Sequence, residues 1–441
     1  MYFFIIFFTI FLFFNKFGFS YNILYYLFDF NWFNIKYWLA IDSISIFFII
    51  LCLFLLIICL ILNWYLIYKI NLFLFTLILL FLCLICIFFT NDAFILFIFF
   101  EFIIFPLFII VGIWGSRERK VFAAYQLFVF TLIGSIFALF GFLYLYSIYG
   151  SFNFIYYYSL DLIEYKYLVF FFLFFGFSVK VPIIPLHMWL PEAHVEAPTV
   201  GSVILAGIIL KLSFYIYLRL LIFFFSSVIF DVLYLLFVIF IIGIILPSFF
   251  SIAQIDMKKV IAYSSISHMN YSLIGLFNNN IISLLGSTFM MFGHALVSSA
   301  LFISIGIIYD RYKSRILFYY GGLVLIMPLF ISLFFIFILS NFGMPLTINF
   351  VGEFVIFIDI FYTNSFLSII TLIGMFLTML YSLFLYNRIS TGPLKLNFIY
   401  FFSDISRREF YLLFILLFFV IFFGIFPSVI FDYFFSNLFF I

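Results

Sequence analysis

Residues 167–179 read YLVFFFLFFGFSV, and residues 180–198 read KVPIIPLHMWLPEAHVEAP. An apolar run stops at a lysine and passes into a segment with four prolines, two histidines and two glutamates. Proline removes a backbone donor and clashes with the preceding turn, so a helix entering this segment is interrupted. Such a break beside a lysine is cheap in water and costly in lipid, so its surroundings decide what it is.

The surroundings are hydrocarbon. The chain has 441 residues, 69% hydrophobic and 8% charged, where soluble domains carry roughly 25% charge. Mean hydropathy is +1.41. Apolar runs long enough to cross a core of about 30 Å recur from end to end, and no polar stretch is long enough for a separate soluble domain. The runs lack period-two alternation, so helices satisfy the backbone. An all-α polytopic membrane protein of about thirteen transmembrane helices follows. The runs fall near 2–14, 39–62, 71–89, 94–112, 122–148, 167–186, 198–223, 232–252, 260–277, 282–308, 322–360, 365–386 and 410–432. The eleventh is too long for one crossing and holds Gly343 and Pro345 in SNFGMPLTINFVGEF (340–354), which predicts a second discontinuous helix.

Alternate loops separate the basic residues. One side collects Lys69, Arg117, Arg119, Lys120, Lys258, Lys259, Arg311, Lys313, Arg315, Arg388, Lys395, Arg407 and Arg408; the other has Lys16, Lys36, Lys166 and Arg219. Positive loops stay inside, so the N-terminus is expected inside and the C-terminus outside. Lys180 and Lys211 belong to neither side because they lie within the membrane. The formal net charge of +2 points to no nucleic-acid or acidic partner.

The spans also hint at duplication. In residues 71–223 and again in 232–386, five spans follow one another and the fourth is broken beside an ionisable residue, Lys180 and then Glu353. A repeat of five spans inserts its second copy upside down, as in many transporters. Residues 1–70 and 387–441 flank these two units. Cys52, Cys59, Cys83 and Cys86 all lie in apolar runs and read as small buried hydrophobes, the CxxC spacing of the last two notwithstanding. Residues 2–14 lack a basic start and a small-residue cleavage site, so they read as a short first span rather than a signal. The 82 phenylalanines exceed what packing in lipid demands and suggest an AT-rich, organellar coding genome.

Ionisable groups at bilayer depth cost at least about 2.5–3.5 kcal/mol each and usually face protein or water. Here they are Glu101, Lys180, Lys211 and Glu353, with His268 and His294 as groups that titrate near neutrality. Ser264, His268 and Ser272 share a helix face, and Ser298 follows His294 by one turn. A carboxylate about 6 Å from a buried amine contributes about 3 kcal/mol at an effective dielectric near 20. Opening and closing such a pair would switch the amine between holding and releasing its proton. Structural readings stand beside these: Lys180 snorkelling to the interface, Glu101 as an ion-pair partner, His268 as a hydrogen-bonded core histidine. His187 and His194, with Glu192 and Glu196, match no zinc spacing.

The string KVPIIPLHMWLPEAHVEAPTVGSVILAGIILK (180–211) closely resembles the signature of the antiporter-like proton-pumping subunits of respiratory complex I. FFEFIIFPLFIIVGIWG, AQIDMKKVIAYSSISHM, GHALVSSALF and NFGMPLTINFVGEF match in the same order and spacing, so the resemblance runs from about residue 39 to 432. It implies two inverted five-helix repeats and proton carriage. Glu101 would pair with Lys180 at the broken helix, and Lys211 would be the central lysine. His294 and His268 would lie along the path, and Glu353, where related subunits carry lysine, would be the terminal acid near the outward exit. The family generally has one more N-terminal span, so its N-terminus faces outward where this one is expected to face inward. The resemblance further implies the mitochondrial inner membrane, with the N-terminus in the matrix and the C-terminus in the intermembrane space. The implied partners are the other membrane-arm subunits, two of them antiporter-like, and lipids. NADH, FMN, iron–sulfur clusters and ubiquinone would be bound by other subunits, with no cofactor or metal held here. Two rival readings are a free-standing cation/proton antiporter subunit and a haem protein using His268 and His294 as axial ligands.

Overall fold

The computed structural model describes residues 23–30, 35–65, 68–154, 157, 165–395, 398 and 403–438. The expected first span at 2–14 lies outside the described residues. The chain is first seen as a hairpin, β1 (Ile23–Phe30) paired antiparallel with β2 (Ile35–Ile41). The second expected span therefore starts later than 39, at Ser43. Asp42 is extended, and its N–H bonds Ser45 Oγ while that hydroxyl donates to the Asp42 carbonyl, fixing the first turn.

The remainder is helical: α1 (Ser43–Leu62), α2 (Ile70–Phe89), α3 (Ala93–Trp114), α4 (Lys120–Tyr149), α5 (Lys166–Ser178), α6 (Trp189–Glu196) and α7 (Thr199–Ile222). Then come α8 (Ser226–Ala253), α9 (Met257–Phe277), α10 (Ile281–Tyr312), α11 (Pro328–Asn341), α12 (Ile348–Thr363), α13 (Ser365–Ser390), α14 (Arg407–Ile425) and α15 (Ser428–Leu438). Among the described residues nine helices are long and apolar enough to cross a membrane. α9 is as long but more polar, and two crossings are split, α5 with α6 and α11 with α12. The expected count of thirteen is not reached among the described residues.

Polarity and burial are inverted relative to a soluble protein. The apolar stretches of α7 and α10 are 94% and 100% buried, against 39% for α4, α8 and α14, yet α7 and α10 are the less hydrophobic pair. Lipid rewards apolar side chains on the outside, so the polar helices α7, α9 and α10 withdraw to the centre. α9 packs on α8 and α10, and α10 on α12. Close approach depends on small residues: Gly176 of α5 lies on Ala138 of α4, where a Cβ would overlap its backbone.

The loops assigned to the basic side touch one another. Arg117 pairs with Asp256 at 3.7 Å, Lys259 with Glu192 at 2.7 Å, and Arg311 with Glu409 at 2.7 Å, while Lys395 donates to the Phe318 carbonyl. At the opposite end Arg219 pairs with Asp42 and Asn91, Tyr167 bonds Asp231, and Asn278 and Asn280 bond Asp359. The cysteines behave as hydrophobes: Cys52, Cys59 and Cys83 are buried within α1 and α2, and Cys86 is partly so.

Candidate functional site

Both predicted breaks are present. α5 ends at Ser178, and helical winding resumes only at Trp189, with Pro182 and Pro185 between. Unwinding frees carbonyls, and one is recovered locally, because the Trp189 indole donates to the Val179 carbonyl at 2.8 Å. The second break spans 342–347, with Gly343 at φ 71° and Leu346 at φ 73°. Gly343 is doubly constrained: its left-handed backbone favours glycine, and a Cβ there would fall on the Glu353 carboxylate.

Four of the six expected residues form one line across the core. Lys211 Nζ lies 2.7 Å from His294 Nδ1 and 2.5 Å from the Ala206 carbonyl. That carbonyl belongs to a π-turn, Leu205–Ile209, which shifts the helix register just before the lysine. The His294 and His268 rings lie 5.7 Å apart, centre to centre. His268 Nδ1 then stands 3.3 Å from Glu353 Oε1. All four side chains belong to residues no more than 3% exposed, so each contact is shielded from bulk water. The Tyr271 hydroxyl donates to the Glu353 carbonyl at 3.0 Å, and the fully buried Tyr381 hydroxyl has no protein hydrogen-bond partner. Beside the line, His268 Nε2 and both amide atoms of Asn349 have no protein partner. Buried polar atoms of this kind are ordinarily met by water.

Glu101 and Lys180 stand apart from that line. They face one another across α3 and the first break, and Ser135 lies beside the carboxylate. The ammonium, however, donates to the Phe100 carbonyl at 2.8 Å and sits over the Phe100 ring, 3.1 Å from its centre. These contacts hold the lysine one residue short of Glu101, and the two are not within ion-pair distance. Glu101 itself lies two residues before the interruption of α3 at Ile103.

The serine stripe on α9 is buried, as Ser264 and Ser272 are 2% and 1% exposed. Their hydroxyls point back to the Ile261 and Met269 carbonyls of their own helix. No cluster of three or more His, Cys, Asp or Glu able to hold a metal occurs among the described residues. Three buried groups lie outside the expected path: His194 and Glu196, which the sequence offers only as an unmatched zinc spacing, and Lys258, which it offers only as a loop charge. Glu196 closes α6 and Lys258 lies in the first turn of α9, where the sequence reads like any helix end, and only burial distinguishes them.

A line of amine, two imidazoles and carboxylate buried in a bundle can pass protons without moving a heavy atom far. The comparisons with known proteins bear on the chain as a whole. Residues 90–381 match the family described as NADH:quinone oxidoreductase/Mrp antiporter, TM. The chain is 44% identical over 379 residues to NADH-ubiquinone oxidoreductase chain 4 of Marchantia polymorpha, covering 85% of this chain and 76% of that one. It is 44% identical over 385 residues to the same-named chain of Acanthamoeba castellanii, covering 87% and 78%. In fold it is similar to a chain of respiratory complex I from Thermus thermophilus with bound NADH, at a TM-score of 0.83, 21% identity, and 98% and 92% coverage. It is also similar to a chain of the Mrp complex from a Dietzia species, at a TM-score of 0.85, 18% identity, and 94% and 86% coverage.

Proposed function

The chain belongs to the NADH:quinone oxidoreductase/Mrp antiporter transmembrane family, and on that premise we propose how it works as a proton-translocating membrane-arm subunit of an NADH:ubiquinone oxidoreductase. Protons are taken up on the basic side, held by Lys180 and Lys211, passed along His294 and His268, and released outward from Glu353. The observation that carries this reading is the line Lys211–His294–His268–Glu353, with contacts of 2.7 and 3.3 Å at its ends. Glu101 and Lys180 form a separate switch. In one state the lysine rests on the Phe100 carbonyl, and in the other it closes on Glu101.

The two five-helix units, 71–223 and 232–386, are inverted repeats, each supplying one broken helix to the path. The basic side faces the matrix of the mitochondrial inner membrane, with the C-terminus in the intermembrane space. Partners are the neighbouring membrane-arm subunits, two of them antiporter-like, and lipids. NADH, FMN, iron–sulfur clusters and ubiquinone belong to other subunits, so redox energy arrives through those contacts. Moving one charge against roughly 150 mV costs about 3.5 kcal/mol, similar to the roughly 3 kcal/mol by which a carboxylate about 6 Å away steadies an ammonium.

The test is charge-neutral substitution in the assembled complex in sealed membranes. Glu101→Gln and Lys211→Ala are expected to lower NADH-driven proton pumping by about a hundredfold. Pumping at the parental ratio of protons to NADH in both variants overturns the assignment.

A further inference from the structure

α12 begins just after the second break, and the unwound residues 342–347 carry no helical register into it from α11. Its height and rotation are therefore set by its neighbours. Against α10 the fit is steric: a Cβ on Gly352 would overlap the Met290 backbone, and one on Gly286 would crowd Val355 and Ile356. Such contacts set how closely two helices approach, but they are not directional and permit sliding and rotation.

Against α9 the contacts form a ladder. His268 Nδ1 stands 3.3 Å from Glu353 Oε1, and the Tyr271 hydroxyl, one turn further along α9, donates to the Glu353 backbone carbonyl at 3.0 Å. Gly275 then lies on Ile356, where a Cβ would come within 2.8 Å of its side chain. Asn278, which closes α9, donates to the Asp359 carboxylate, and Asn280, which precedes α10, donates to both of its oxygens at 3.1 and 3.2 Å. Residue numbers rise together on the two helices, so they run parallel and in step. Tyr271 and Asp359 are 3% and 5% exposed, so their hydrogen bonds are made away from water, where leaving them unmade is costly. Unlike the apolar contacts, these bonds are directional. The two polar rungs lie on the order of 10 Å apart along either axis. Together they fix both rotation and height, which a single rung does not.

We propose that Tyr271 and Asp359 are positioning residues, which lock α12 in register with α9 and so keep the Glu353 carboxylate within reach of His268. The proposal rests on the reading of His268 to Glu353 as the last internal step of the proton path. Neither residue carries the proton. Tyr271 commits its hydroxyl to the peptide carbonyl of Glu353, and Asp359 is held by two amides at the outward end of the helix. At 3.3 Å the imidazole and carboxylate are already at the long end of hydrogen-bond range. A shift of roughly half an ångström separates them, and a turn of α12 by one residue, about 100°, swings Glu353 to another face.

The experiment uses sealed membrane vesicles and reads NADH-driven proton pumping per assembled complex. Tyr271→Phe removes one hydroxyl and is expected to slow pumping about fivefold, the size of one lost hydrogen bond. His268→Gln alone is expected to slow it about tenfold. The discriminating measurement is Tyr271→Phe made in the His268→Gln background, where no further loss is expected, because the step it serves is already gone. A loss of the same factor in both backgrounds overturns the proposal, since the hydroxyl then serves packing alone. Parental pumping in Tyr271→Phe, with His268→Gln slowed, overturns the proposal and leaves the proton path standing. Parental pumping in both variants overturns both. If Tyr271→Phe lowers the amount of assembled complex, Asp359→Asn is read in the same two backgrounds. A loss seen only with His268 present supports the register lock, and an equal loss or none overturns it.

Discussion

Lys211 Nζ lies 2.7 Å from His294 Nδ1 in a core where neither residue is more than 2% exposed. An amine and an imidazole at that separation are within hydrogen-bond distance, so a proton on either can pass to the other. His268 and Glu353 follow on one side, and the π-turn carbonyl of Ala206 closes the other. The pair therefore has a polar neighbour on each side.

His294→Ala removes the middle of the line and leaves Lys211 facing empty space before His268. Pumping by the assembled complex is expected to fall about tenfold or more, with NADH oxidation falling in parallel if the machine stays coupled. Proton uptake and release by sealed vesicles measures this. A parental rate would mean that protons bypass the histidines.

Gly343→Ala places a side chain where the backbone is left-handed and where the Glu353 carboxylate lies. The left-handed conformation alone costs about 1–2 kcal/mol for a residue with a Cβ. The expected result is a subunit destabilised by at least that amount on denaturation in detergent, together with slower pumping. Unaltered stability would show that the second break relaxes around the new methyl group.

Asp42 and Arg219 form a largely buried ion pair tying the start of α1 to the end of α7. Removing one partner strands the other charge, at about 3–5 kcal/mol. Asp42→Asn or Arg219→Met alone is thus expected to reduce assembly far more than the two together. The double-mutant cycle, read by the amount of assembled complex, checks it. Additive losses would mean that the pair is not coupled.

Trp189→Phe keeps the ring and deletes the N–H that meets the Val179 carbonyl. The loss is expected to cost about 1–3 kcal/mol, since a carbonyl freed by the break is left unpaired. Amide hydrogen exchange at residues 179–183 should quicken, while exchange in α10 stays as it was. Equal protection in both regions would show that the indole bond does not hold the break.

Much of this could be read before any fold was known. Pro182 and Pro185 after an apolar run announce an interrupted helix, and Gly343 with Pro345 announces the second. The buried lysines and carboxylates stand out because lipid makes idle charge expensive, and the alternating basic loops sort the two faces. The start of α1 was misplaced by a few residues, since 39–41 belong to β2. Apolar strand and apolar helix look alike when every residue is apolar. In the sequence His194 reads only as a metal-ligand candidate without a matching motif, and Lys258 only as one loop charge among several. Nothing local distinguishes a buried lysine at a helix start from its exposed neighbour Lys259.

The amino-acid order by itself determined that this is a helical membrane protein, where its helices break, and which ionisable residues the membrane must hide. Tertiary packing alone decided which of those residues touch. It joined Lys211 to His294 and His268 to Glu353, and held Lys180 on the Phe100 carbonyl rather than on Glu101. The reason is geometric. Helical periodicity fixes the direction of a side chain relative to its own axis, but contact across a bundle depends on the rotation and height of each helix against the next. In chains apolar on every face, only three-dimensional packing of small and large residues sets those two quantities.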